Sequence, residues 1–206
     1  MKRFLFLVLS VTCVFTLFAQ QLSDEQIKKK INQAATAMKT MQCDFVQTKN
    51  IKMLNDKLIS KGKMYYQQGN KLRWEYTSPY QYAFILNNDK VLIKNNQRND
   101  VVDVKQNKLF KEITRIMMSS VVGNCLTDDK GFKTSIIANS KDWIANLAPL
   151  RKDMKQMFQK MILHFNPQKA VVTSVELIER NGDKTVIELK NVRVNETLRA
   201  DMFAVR

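Results

Sequence analysis

Histidine occurs once in this chain, at position 164. With one imidazole there can be no histidine cluster for a metal. Glycine is scarce, at five residues, and no glycine-rich loop that would cradle a phosphate is present. The chain has no Gly-x-Ser-x-Gly elbow and no His-Glu-x-x-His helix. Cysteine occurs three times, and Cys13 falls in the leader described below. Cys43 and Cys125 are too few and too widely spaced for a zinc site. An oxidising compartment permits a disulfide between them. Two buried thiols acting as small hydrophobes is the other reading, and both stay open. Adjacent acids such as Asp128-Asp129 in a polar loop are expected to be solvated. His164 lies inside a predicted strand, opposite Met161, Leu163 and Phe165 in side-chain direction, and reads as an ordinary strand residue. Catalysis by two distant carboxylates is the one enzymatic scheme left, and no acid stands out for it. The expectation is a protein that is not an enzyme and uses no cofactor or metal.

Long apolar runs are also lacking, apart from Phe4 to Phe18. That run is broken by Ser10, Thr12 and Thr16, follows Lys2 and Arg3, and ends at Ala19 before Gln20-Gln21. This is the layout of a secretory signal peptide over residues 1–19. It falls short of the roughly 20 apolar residues of a membrane span; an uncleaved anchor is the alternative. Thr12 is bulky for the position before a lipid-modified cysteine, so Cys13 is not read as one. Residues 20–206 then suit one soluble domain, large enough to bury a core without metals or staples.

What the chain has in excess is positive charge, formally +15. Such a balance favours anionic partners: nucleic acid, membrane head groups or acidic proteins. The charges are dispersed, however, and the longest basic run is Lys28-Lys29-Lys30. Export also argues against nucleic acid. Docking to anionic membrane or partner surfaces and simple solubility both account for the charge.

Ser23 and Gln26 form a capping box at the start of a predicted helix. Ile27, Ile31, Ala34, Ala35, Met38 and Met41 make one apolar face on it, which is either core or the underside of a lid. From Cys43 the period becomes two. Phe45-Val46-Gln47 is followed by a polar, lysine-rich linker. Leu58-Ser60-Gly62-Met64-Tyr66 then alternates with Ile59-Lys61-Lys63-Tyr65. Leu72, Trp74 and Tyr76 share one face, and Tyr80, Tyr82 and Phe84 follow Pro79. Asn87-Asn88-Asp89 and Asn95-Asn96 mark turns around Val91-Leu92-Ile93, before a weaker strand near Val101 to Val104. Leu109, Phe110, Ile113, Ile116, Met117 and Ser120 recur at helical spacing, predicting a helix over 106–122 that ends at Gly123. Strands return at Phe132–Ile136, Trp143–Pro149 and Met161–Phe165, with a polar connector at 151–156. Asn181-Gly182 predicts a type I′ hairpin between Val175–Arg180 and Thr185–Lys190. Short strands with tight turns predict an antiparallel meander.

Several of these segments resemble the periplasmic outer-membrane lipoprotein carrier family, LolA. They are Phe45-x-Gln47, the Gly62 strand, Leu72-Arg73-Trp74 with Tyr76 and Pro79, and Trp143-x-x-x-Leu147-x-Pro149. Further along come Phe158-x-x-x-Ile162, Gly182-Asp183-Lys184-Thr185, Asn191-Val192-x-x-Asn195 and Phe203. Each is weak alone; their order and spacing, from about Asp24 to Val205, carry the likeness. The resemblance implies a mostly antiparallel α+β fold, an incomplete β-barrel closed on one side by lid helices. It also implies a monomeric periplasmic carrier. Its cargo would be acylated lipoproteins, its donor an inner-membrane ABC-type release complex, and its destination an outer-membrane acceptor. A lipid- or glycolipid-binding envelope protein of the same fold is the alternative.

An acyl chain in water costs about 0.8 kcal/mol per exposed CH₂, so a carrier needs an apolar concavity and a movable cover. The candidate lining is Met64, Leu72, Trp74, Tyr76 and Phe84, with Ile113, Ile116 and Met117 from the lid. The best-studied members of the family place an Arg-Pro pair between the Gly strand and the Trp strand, and that Arg holds the lid. Here Gln68-Gly69 stands at that point. Gln68 and Arg73 are the candidates for a polar latch; neither is assigned the role.

Overall fold

The computed structural model describes residues 22–205; the leader assigned to residues 1–19 lies outside them. Helix α1, Asp24–Ala37, begins with the expected capping box. The Ser23 hydroxyl accepts from the Gln26 N–H, and the Gln26 side chain accepts from the Ser23 N–H. Strands β1 (Thr40–Ile51), β2 (Asp56–Gln67), β3 (Lys71–Ser78), β4 (Tyr82–Asn87), β5 (Lys90–Asn95) and β6 (Asn99–Asp103) follow as a meander. Helix α2, Lys108–Val122, interrupts it, capped by the side-chain carbonyl oxygen of Asn107 and ended by Gly123 at φ 82°. A 3₁₀ turn at Asn124–Thr127 leads to β7 (Phe132–Ala138) and β8 (Trp143–Pro149). Then come α3 (Lys152–Met157), β9 (Phe158–Phe165), β10 (Val172–Glu179) and β11 (Lys184–Val194).

All eleven strands join one antiparallel sheet, in the order β6-β5-β4-β3-β2-β1-β11-β10-β9-β8-β7. The sheet is open, with β6 and β7 at its edges. Register decides which side chains share its inner face. One inward row runs Cys43, Met64, Trp74, Phe84. Another runs Gln47, Ile187, Val175, Leu163, Ala145. Strands β4 and β9 are six spacings apart, roughly 29 Å on a flat sheet. Yet Phe84 and Met161 line the same cavity, so the sheet is strongly curved, as expected of an incomplete barrel.

Gly62 shows how tightly the inner face is packed. A Cβ there would lie 2.0 Å from the Glu75 carbonyl oxygen and 2.4 Å from Cζ of Phe45. The Phe45 ring lies across from it in the register and continues into an aromatic cluster. Phe45 stacks on Trp74 at 4.4 Å and meets Tyr76 edge-on at 5.3 Å.

The apolar stripe of α1 is core. Ile27, Ile31, Ala35 and Met38 are buried, and the helix packs on the 3₁₀ turn and β7. Cys43 and Cys125 are both buried and unpaired. Loss of hydration pushes each thiol up to about 12. On the outer face, the C-terminal 3₁₀ turn Ala200–Phe203 packs on β3 and β4. Val205 there covers a small second core of Ala83, Ile85 and Leu92.

Four local expectations are corrected. The lysine-rich linker after Gln47 is strand: β1 runs on to Ile51 and β2 starts at Asp56. Residues 151–156 are not a plain connector, because Met154 is fully buried and anchors α3. The 181–182 turn is not type I′, since only Gly182 of the pair has positive φ. The Asn181 side chain instead accepts the Asp183 N–H at 3.0 Å. The Glu179 carbonyl accepts from Gly182 at 3.0 Å, giving a three-residue loop with glycine in the left-handed position. Asp128 is no free solvated acid, as it pairs with Arg115 on α2.

Candidate functional site

Between α2 and the curved sheet lies a cavity of 280 Å³. Its floor comes from both arms of the sheet. Trp74 and Tyr76 of β3 and Tyr82 and Phe84 of β4 form one wall; Met161, Val175, Leu177 and Ile187 of β9 to β11 form the other. The roof is one face of α2: Ile113, Ile116, Met117, Ser120 and Val121. These recur at three- and four-residue spacing, which places them on one side of a helix.

The lining is almost wholly hydrocarbon and aromatic. Apart from two phenols, no ionisable group lines the cavity. Burial pushes both Tyr76 and Tyr82 above the usual phenol range, so both stay neutral at physiological pH. The Tyr76 hydroxyl donates to Gln47 Oε1 at 2.9 Å, and the Ser120 hydroxyl donates to the Met161 sulfur at 3.3 Å. Tyr76 and Ser120 are thus satisfied within the site, and the apolar surface offers dispersion contacts and exclusion from water. Such a cavity can take up an apolar chain; it has no nucleophile–base pair.

Of the predicted lining, Trp74, Tyr76 and Phe84 face the cavity, as do the lid residues Ile113, Ile116 and Met117. Met64 and Leu72 point to the same side of the sheet but are fully buried beneath its neighbours. Gln47, Tyr82, Ser120, Val121 and the four residues of β9 to β11 complete the site. Their strand alternation or helical spacing was readable. Which inward residues remain uncovered depends on where α1 and α2 settle.

Gln68 lies exposed in the β2–β3 loop, with its backbone N–H donating to the Lys39 carbonyl at 2.7 Å. Arg73 faces outward. It pairs with Glu75 at 2.9 Å and donates to the Met202 carbonyl at 3.3 Å, so it ties down the C-terminal segment. The polar cluster that holds α2 is elsewhere. Glu112 accepts from Arg115 Nε at 3.1 Å and from Arg151 Nη2 at 3.0 Å. Arg115 also reaches Asp128 at 2.9 Å, and Arg151 is held by Asp153. This cluster ties the start of α2 to the segment before β7 and the segment after β8. His164 is outside the site. It faces away from the core, with Nδ1 2.6 Å from Asp142 and Nε2 3.5 Å from Glu176.

The chain is similar in sequence to one known protein and in fold to two others. It is 23% identical over 189 residues to an outer-membrane lipoprotein carrier protein of Methylococcus capsulatus, covering 90% of this chain and 86% of that one. Two solved structures share the fold at low identity. One is an uncharacterised conserved protein from Thermus thermophilus, with TM-score 0.55, 8% identity, and coverage of 88% and 93%. The other is a chain of the Pseudomonas aeruginosa MucA/MucB complex, with TM-score 0.53 and 12% identity. There the match covers 86% of this chain and 60% of that one. The model of the family described as outer membrane lipoprotein carrier protein LolA matches residues 36–206. The chain belongs to that family.

Proposed function

We propose that this protein carries acylated lipoproteins through the periplasm from the inner to the outer membrane. The observation that carries the proposal is an apolar cavity with a single helix as its roof. At 280 Å³ it sits just below the roughly 300–1,000 Å³ of ordinary small-molecule sites. Several acyl chains need more room, so α2 swings away as cargo enters. Its latch is the Glu112–Arg115–Arg151–Asp128 cluster, and its roof residues then follow the acyl chains. Family membership supports lipoprotein binding without catalysis. The leader over residues 1–19, the single domain over residues 20–206 and the periplasmic location belong to the same proposal. So do the monomeric state, the inner-membrane ABC-type release complex as donor, the outer-membrane acceptor, and the absence of a nucleic-acid role.

The test is a release assay. Mature protein is incubated with inner-membrane vesicles from its own source and ATP. The expected result is triacylated lipoprotein in the soluble fraction, bound one to one and dependent on both ATP and this protein. Active vesicles that release nothing, while the protein extracts a different lipid, would replace the carrier reading with that of a lipid-binding envelope protein.

A further inference from the structure

We infer that the tip of the β1–β2 hairpin is a docking element for an anionic membrane surface. Hydrophobic side chains at this tip are turned into solvent. Met53 is 92% exposed, Leu54 67%, Ile59 55% and Leu58 52%. Leu58 and Ile59 are consecutive in β2 and point to opposite faces, so the arm projects beyond the body of the sheet. Exposed apolar side chains grouped in this way mark a surface meant for contact.

Around them the charge is mostly positive. From Lys49 to Lys63 there are five lysines and one aspartate. Among the described residues Lys52, Lys57 and Lys61 have no ion-pair partner. Apolar side chains that enter the acyl boundary, with amines left at head-group level, are the pattern of an interfacial anchor. The arm is also held rigidly at its base. Asp183 accepts the Lys52 N–H at 3.0 Å, and Lys49 pairs with Glu179 at 2.9 Å. Asn55 adopts the left-handed conformation of the turn at φ 49°. Little ordering is then lost on contact. A bilayer suits this element better than a protein, because four apolar side chains on a narrow hairpin fall far short of the roughly 1,000 Å² of a specific protein interface.

The inference goes beyond lipoprotein carriage, and its test uses no lipoprotein, so its failure leaves that proposal standing. Met53→Cys would be labelled with a polarity-sensitive fluorophore, the two native thiols being buried. On phosphatidylglycerol-containing vesicles the emission shifts to the blue and is quenched by brominated acyl chains. On pure phosphatidylcholine, or at high salt, the shift is lost. In co-sedimentation of unlabelled protein, Met53→Asp/Leu54→Asp weakens vesicle binding more than about tenfold. Lys57→Gln weakens it about fivefold. Circular dichroism confirms that each variant is folded. No blue shift on anionic vesicles, or undiminished binding of the double variant, would overturn the inference.

Discussion

Replacing Glu112 with alanine should open α2 without unfolding the sheet. The carboxylate accepts from Arg115 at 3.1 Å and Arg151 at 3.0 Å, and its side chain is only 12% exposed. A hydrogen bond to a charged group contributes about 1.5–3 kcal/mol when buried. The Arg115 and Arg151 side chains are 31% and 38% exposed, and solvent screening brings each contribution down toward the range of surface pairs. The pair together then stabilises closure by about 2 kcal/mol, or roughly thirtyfold in an equilibrium. Alanine costs nothing in helix propensity, so the effect lies on the tertiary contact. Hydrogen exchange reads it directly, because local opening and global unfolding protect amides to different extents. In Glu112→Ala the amides of α2 should exchange about thirtyfold faster, while those of central β1 and β11 stay within about twofold. A parallel rise in all three elements would mean that α2 is integral core rather than a lid. No rise anywhere would mean that the cluster holds nothing.

Three further outcomes are expected. Gly62→Ala should be among the most damaging single changes, costing above roughly 3 kcal/mol, because its Cβ would sit 2.0 Å from a backbone oxygen; urea titration measures it, and a loss under about 1 kcal/mol would contradict the packing argument. Met117→Trp fills the cavity from the roof and should cut lipoprotein release severalfold while leaving far-ultraviolet circular dichroism unchanged; full release by a folded variant would show that cargo binds elsewhere. Cys43 and Cys125 should resist aromatic disulfide reagents at pH 8 until the protein unfolds. Their folded thiols ionise only near pH 12, against about 9 when unfolded. The neutral thiols therefore favour the folded state fully below pH 9, and that contribution is lost as pH rises from about 9 toward 12. Rapid labelling of native protein would refute the burial of both.

Much of the site could be read from alternation. Trp74, Tyr76 and Phe84 were found because strands repeat every two residues and turns between them are short. Ile113, Ile116 and Met117 were found because a helix repeats every three to four. Met64 and Leu72 obey the same alternation, yet they are sealed in the core. The latch shows the opposite case. Glu112, Arg115, Asp128 and Arg151 span nearly forty residues and carry no local signature, so Asp128 read as a solvated acid and 151–156 as a connector. The β1–β2 arm was misread for a related reason. Lysine is a poor strand former, but pairing with β11 and between the two arms overrides that preference.

Period, turn residues and capping are local, so the chain by itself determines an antiparallel meander, the capped helix α1, the glycine-terminated helix α2 and the inward face of each strand. Curvature is a sum over eleven strands, and the resting place of α2 depends on groups far apart in sequence. Tertiary structure alone therefore decides which inward residues stay bare around the cavity, which charges bind its roof and which apolar side chains are left facing outward.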